Sequence, residues 1–131
     1  MIRLPSGRLV RGRALRQPIP DGDPPEFALH LRGRRPAAVP WASEWIRWPD
    51  FGLPADRAAF ARSIHQLWDR AGSERVEIAC GGGRGRTGTA LACLVVIDGL
   101  EPGDAIDYVR QHYSRQAVET PWQRRFVATF R

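Results

Sequence analysis

The side chains best suited to chemistry lie in one glycine-rich segment, Cys80-Gly81-Gly82-Gly83-Arg84-Gly85-Arg86-Thr87-Gly88. Glycines allow successive backbone N–H groups to point inward, and the positive end of a following helix strengthens the concave anion site that results. The same environment favours the thiolate of a cysteine, which is the nucleophilic form. This segment therefore predicts a nucleophile inside a binding loop for a tetrahedral oxyanion.

Two side chains follow the cysteine at fixed spacing. Arg86, six positions after Cys80, can place its guanidinium fork across the loop and bind two phosphoryl oxygens at once. Thr87 offers a hydroxyl that can donate to the sulfur as it leaves. The predicted phosphate-binding residues are Gly81, Gly82, Gly83, Arg84, Gly85 and Arg86.

The elements on either side of the loop must hold it in place. Val76–Ala79 has the pattern of a short strand, and Thr87–Asp98 is apolar nearly all round, which predicts a central buried helix. Helical spacing of apolar residues also predicts helices at Ala55–Ala71, Pro102–Tyr113 and Pro121–Phe130. The cysteine would thus lie between a strand and a buried helix.

Earlier in the chain the pattern predicts further strands at Arg8–Arg11, Phe27–Leu31 and Glu44–Trp48. A chain of 131 residues supports one hydrophobic core and is too short for two ordinary domains, so residues 1–131 are interpreted as one domain. The predicted fold class is α/β, with a small, mostly parallel central sheet flanked by helices and its site at the carboxyl ends of the strands.

The run Cys80-x5-Arg86-Thr87-Gly88 resembles the signature loop of the protein tyrosine phosphatase superfamily. Trp48-Pro49-Asp50-Phe51-Gly52-Leu53-Pro54 resembles the mobile acid loop of that superfamily, in the position it has in compact dual-specificity-like members. The resemblance covers roughly residues 44–130, and the first forty residues match nothing comparable.

The resemblance implies a cysteine phosphatase that works without metal or cofactor. Cys80 would be the nucleophile, Arg86 would hold the phosphoryl oxygens, and Asp50 would serve as general acid and then as general base. Thr87 would assist departure of the thiolate from a cysteinyl-phosphate. The expected substrate is a phosphorylated protein or another phosphate monoester.

One further segment extends the resemblance, and one position departs from it. Glu119-Thr120-Pro121-Trp122-Gln123 is similar to a segment that lies over the site in some members, which implies that Gln123 positions water; the same residues also fit a helix capping box. Ala79 stands where the family usually has histidine, so the thiolate here would be less fully populated or would depend more on the amide ring.

Other interpretations remain open from the sequence. A rhodanese-like sulfurtransferase also holds a cysteine in a backbone ring but needs no aspartate loop, and a non-catalytic phosphopeptide-binding module would need neither Cys80 nor Asp50 for chemistry. Arg84 keeps phosphoinositides among the candidate substrates, because the lipid-phosphatase branch has a basic residue there. Cys93 fits core packing, with reversible pairing to Cys80 as the alternative.

The composition narrows the function classes further. The net charge is +6, and all 20 basic residues are arginine, so lysine-dependent sites such as a Walker A loop or a Schiff base are excluded. The arginine pairs at 34–35 and 124–125 fit solvated surface charges, so we expect no nucleic-acid partner. Because no long apolar run is present, we expect a cytoplasmic protein without membrane insertion.

Overall fold

A five-stranded sheet and four helices form residues 1–130, the part of the chain that the computed structural model describes. The strands are β1 (Ile2–Arg3), β2 (Leu9–Ala14), β3 (Phe27–Arg32), β4 (Ala42–Arg47) and β5 (Val76–Cys80). The helices are α1 (Arg57–Arg70), α2 (Gly85–Ile97), α3 (Pro102–His112) and α4 (Pro121–Thr129). The order of the strands is β1-β2-β5-β3-β4, and only the β1–β2 pair is antiparallel. The strand that ends at Cys80 is therefore central.

This architecture confirms the predicted α/β fold with a mostly parallel sheet. The predicted helices and the last three predicted strands are present, with ends that agree or differ by no more than two residues. Two differences lie near the N-terminus, where β1 was not predicted and β2 extends to Ala14 instead of ending at Arg11. Arginines and Gly12 interrupt the apolar alternation of β2, and strand pairing with β5 overrides that weak local pattern.

The helices form one layer, in which α2 contacts β5 and each of the other three helices. All residues of α2 from Gly85 to Val95 are buried, as its nearly continuous apolar sequence predicts. Helix α1 begins where the Asp56 side chain accepts a hydrogen bond from the Ala59 amide, at 2.9 Å, and buries Phe60, Ile64 and Leu67. Helix α2 follows the glycine-rich loop, and the packing of the other helices against it fixes the position of its start.

Alternation along the strands gives the sheet two unlike faces. One face carries core residues that include Val10, Leu29, Leu31, Ile46 and Ile78. The opposite face carries a buried ionic cluster, in which Glu77 accepts hydrogen bonds from Arg11 Nε at 2.7 Å and from Arg13 Nε at 3.0 Å. Glu77 is fully buried. Sequence reasoning did not anticipate this cluster.

His30 lies on the same face as the ionic cluster, in register with Ala79 of β5. Its side chain is buried, and Nε2 has no hydrogen-bond partner among residues 1–130. Burial lowers the pKa of His30, although the charge of Glu77 opposes this change. The His30 side chain therefore lies on the strand next to Ala79, the position where the family that this sequence resembles usually has histidine.

Candidate active site

Cys80 is the last residue of β5, and its side chain is buried beneath the loop. The Gly83 amide donates a hydrogen bond to Sγ at 3.1 Å. The backbone of Cys80 is itself fixed, because its carbonyl oxygen accepts a hydrogen bond from the Leu15 amide at 2.7 Å. The sulfur thus lies just before the N-terminus of α2, with a backbone donor directed at it.

Close packing explains why glycines occupy the loop. Gly83 has φ of +70°, and a Cβ there would lie 2.8 Å from the backbone nitrogen of Ala14. A Cβ on Gly85 would overlap the Glu119 carboxylate. The Tyr113 hydroxyl also holds the loop, because it donates a hydrogen bond to the Gly83 carbonyl at 2.5 Å. Burial raises the pKa of Tyr113 to about 12. The loop is therefore held between β2 and the C-terminal helices.

We expect replacement of Gly83 by alanine to lower kcat/KM by about tenfold to a hundredfold, since strain of about 1–3 kcal/mol at a left-handed position can displace the Sγ donor. The measurement is steady-state turnover, with thermal unfolding to check the fold. The matched control is Gly103→Ala in α3, where a Cβ would meet nothing within 4 Å. Full activity in Gly83→Ala would contradict the described loop conformation.

Arg86 lies at the start of α2 with its guanidinium directed across the loop. The side chain is buried, and Nη1 donates to the Trp48 carbonyl oxygen at 3.0 Å. Its Nη2 is 3.5 Å from Oδ1 of Asp50. Trp48 is itself immobilised in the core by an edge contact with Phe60. The orientation of the arginine therefore depends on the segment that carries the aspartate.

That segment, residues 48–54, is tied down at several points and is called the acid loop below. Trp48 Nε1 donates to the Gly52 carbonyl at 2.7 Å, and Trp122 Nε1 donates to the Phe51 carbonyl at 2.6 Å. Asp50 remains about half exposed, with a side-chain exposure of 49%. The structure thus brings Asp50 to the mouth of the loop that holds Cys80 and Arg86.

Gln123 joins helix α4 to the acid loop. Its Oε1 accepts from the amides of Glu119 and Thr120, at 2.9 and 3.3 Å, and its Nε2 donates to the Gly52 carbonyl at 3.1 Å. The predicted capping box with Thr120 is confirmed. The side chain is fully buried, so its observed contacts are structural, and the water-positioning role stays a prediction.

The remaining predicted residues lie around the loop. Thr87 Oγ1 is buried and, within residues 1–130, has no hydrogen-bond partner. Arg84 is exposed at the N-cap of α2. Cys93 is buried in the core, where burial raises the pKa of its thiol, and both cysteines are free.

A cavity of about 340 Å³ opens over Cys80, and its wall includes residues that sequence reasoning did not single out. Arg16 and Gln17 reach it from the segment after β2, and Glu119 from the segment before α4. Burial raises the pKa of Glu119, and the nearby Asp50 charge raises it further. The place of Arg16 in this wall follows only from the pairing of β2 with β5, because the sequence around Arg16 contains no motif.

Comparison with known proteins places this chain among phosphatases. The family model described as "Swiss Army Knife protein, DSP-PTPase phosphatase domain" matches residues 53–128. Human tyrosine-protein phosphatase non-receptor type 4 is 35% identical over 91 residues, which are 64% of this chain and 10% of that protein. An uncharacterised protein of Methanocaldococcus jannaschii is 42% identical over 81 residues, covering 62% of this chain and 54% of that protein. The chain thus spans from a tenth to about half of the length of these relatives.

Solved structures agree with the sequence relatives. Kinase-associated phosphatase, with serine in place of its catalytic-site cysteine, superposes with a TM-score of 0.62 at 26% identity, over 70% of this chain and 52% of that one. Tk-PTP in its active form superposes with a TM-score of 0.66 over 78% and 74%, and at 23% identity it supports the fold alone. Since the family model covers more than half of the chain, this protein belongs to the dual-specificity branch of the protein tyrosine phosphatase superfamily.

Proposed function

We propose that this protein is a tyrosine/dual-specificity-type phosphatase that hydrolyses phosphate monoesters, phosphorylated proteins among them, through a cysteinyl-phosphate. The observation that carries the proposal is the convergence of three groups: the Cys80 thiol under the Gly83 amide, the buried Arg86 guanidinium, and Asp50 within 3.5 Å of that guanidinium. Cys80 and Arg86 belong to one loop and Asp50 to a segment thirty residues earlier, and together they supply a nucleophile, an oxyanion binder and a proton donor.

In the first step the Cys80 thiolate attacks phosphorus in line with the bond to the leaving oxygen. Arg86 and the loop amides bind the equatorial oxygens and stabilise the charge that develops on them. Asp50, in its protonated form, gives its proton to the leaving oxygen as the P–O bond breaks. The products are a cysteinyl-phosphate and a free hydroxyl compound.

In the second step water attacks phosphorus while the ionised Asp50 accepts a proton from it. The P–S bond breaks, inorganic phosphate forms, and the thiolate is regenerated. The Thr87 hydroxyl, which has no other partner among residues 1–130, donates to the departing sulfur. Groups of the chain itself carry every step, so we propose no metal or cofactor.

The position of Asp50 favours a phosphatase over the two alternatives. A sulfurtransferase or a phosphopeptide-binding module would not need a carboxyl group held by tryptophan, glutamine and backbone contacts at the mouth of the loop. Within residues 1–130 no helix is long and apolar enough to cross a bilayer. We place the protein in the cytoplasm, because a catalytic thiol needs a reducing compartment.

Replacing Asp50 by asparagine removes the proton donor while keeping the shape of the side chain. We expect kcat to fall by about a hundredfold or more, as typical for loss of general acid catalysis, with little change in phosphate affinity. The measurement is hydrolysis of para-nitrophenyl phosphate in EDTA, with vanadate as competitor. The control is Asp56→Asn, which alters the α1 cap outside the site.

Loss of turnover in EDTA, or an unchanged kcat in Asp50→Asn, would contradict the mechanism. Thiosulfate turnover that survives Asp50→Asn would support the sulfurtransferase instead. Binding of phosphate by folded protein without any turnover would support the binding module.

A further inference from the structure

A second cavity, of about 390 Å³, opens beside the one over Cys80. Arg32 and Arg34 line only this second cavity, whereas Arg16, Asp50 and Arg86 line both. Arg32 is the last residue of β3, Arg16 and Arg34 lie two residues after the ends of β2 and β3, and Arg86 belongs to α2. The mechanism described above uses Arg86 alone among these arginines, so the other three have no role in it.

These three arginines have no counter-charge. Within residues 1–130 the guanidinium groups of Arg16, Arg32 and Arg34 form no ion pair and donate no hydrogen bond. The one acidic side chain in the wall is Asp50, which faces Arg86. A concave site with several free cations and one paired acid has a strongly positive potential, which attracts polyanions.

Backbone contacts hold Arg16 at the edge of the loop. Its amide donates to the Gly81 carbonyl at 3.2 Å, extending the β2–β5 pairing beyond Cys80. A Cβ on Gly81 would lie 3.4 Å from Nε and Nη2 of Arg16 and 3.1 Å from Nη2 of Arg86. Two like-charged groups are thus held close together, an arrangement that a bound anion would stabilise.

We propose that the second cavity binds a second phosphoryl group of the substrate, and that the preferred substrates are therefore compact bisphosphorylated polyols, either free or as lipid head groups. This inference rests on the proposed phosphatase function. The two cavities share Gly81 and three side chains, so both phosphoryl groups must lie on one small scaffold. Phosphorylated side chains spread along a peptide would lie farther apart. Arg86 holds the group that is cleaved, and Arg16, Arg32 and Arg34 hold the group that remains.

The test compares kcat/KM for inositol monophosphate with that for an inositol bisphosphate phosphorylated on neighbouring carbons, at constant ionic strength. We expect wild type to prefer the bisphosphate by at least about tenfold, and Arg34→Gln or Arg32→Gln to remove about tenfold of that preference, as for loss of a charge-assisted contact. The control is Arg35→Gln, because Arg35 stacks over Trp45 and lies outside the wall of the cavity. It should leave the ratio unchanged.

Equal kcat/KM for the two substrates in wild type would overturn the proposal, as would Arg34→Gln lowering both values equally. A preference found only with a doubly phosphorylated peptide over its singly phosphorylated form would also overturn it. A short-chain lipid with the same head group shows whether the bound bisphosphate is free or part of a lipid. A preference for the bisphosphate over the monophosphate in either form supports the site, and the form with the higher kcat/KM is the one that is bound better.

Hydrolysis and binding measurements together separate failure of the proposed phosphatase function from failure of this inference. If para-nitrophenyl phosphate is hydrolysed but the bisphosphate is not preferred, the proposed function stands and this inference fails. If no substrate is hydrolysed, calorimetry of the Cys80→Ser variant decides the matter: binding of the inositol bisphosphate at least about tenfold tighter than the monophosphate supports the second site, and equal affinities overturn it.

Discussion

Cys80→Ser is expected to abolish turnover, with kcat at least about ten-thousandfold below wild type. A serine hydroxyl is a weak nucleophile unless a neighbouring base activates it, and within residues 1–130 no hydrogen bond joins a basic side chain to the Cys80 sulfur. The Gly83 amide, the other loop amides and Arg86 remain, so the variant should still bind oxyanions. The measurement is para-nitrophenyl phosphate hydrolysis, paired with thermal unfolding in vanadate. Vanadate should raise the unfolding temperature of both proteins.

Cys93→Ala is the matched control for this variant, because Cys93 is buried in α2 and belongs to the core cluster. It should retain wild-type kcat per folded molecule, even if removal of a buried side chain lowers its stability. A Cys80→Ser protein with wild-type activity would end the cysteinyl-phosphate mechanism. Equal loss of activity in both variants would point to a structural effect of the cysteines.

Glu77→Leu is expected to lower the free energy of unfolding by about 3–5 kcal/mol, a large part of the stability of an ordinary domain. The substitution leaves the buried guanidinium of Arg13 without its counter-charge, while Arg11, at 19% exposure, can still reach solvent. The expected loss is large because the remaining charge is buried and cannot be solvated. Urea unfolding followed by tryptophan fluorescence measures it.

Two further variants separate charge burial from packing. Glu74→Gln breaks the partly exposed pair with Arg70, in which each side chain is 28% exposed, and should cost less than about 1 kcal/mol. The double variant Arg13→Met with Glu77→Leu removes the acid and its most buried partner, and should recover most of the loss. If Glu77→Leu alone costs no more than the surface variant, the ionic cluster does not stabilise the sheet.

Much of the fold was predictable from local patterns. The helices show apolar residues at helical spacing with capping residues and prolines at their starts, and α1, α3 and α4 begin within two residues of the predicted positions. The loop from Cys80 to Gly88 was predictable because its glycines, its cysteine and its arginine are close together in the chain, between a short strand pattern and an apolar helix pattern. The boundaries of β2 were not predictable from local patterns, because its polar residues point to a buried face that forms only when β2 pairs with β5.

The sequence by itself determined the order of the helices and indicated the proposed nucleophile, the proposed phosphate-binding loop and the acid loop, since each depends on residues that are close together in the chain. Only the tertiary structure decided which distant residues join them. Arg16 and Arg34 reach the site because parallel strands end at one edge of the sheet, and Glu77 meets Arg11 and Arg13 because β2 and β5 are neighbours. Such contacts depend on strand order and register, which long-range packing sets and which no local pattern in this chain records.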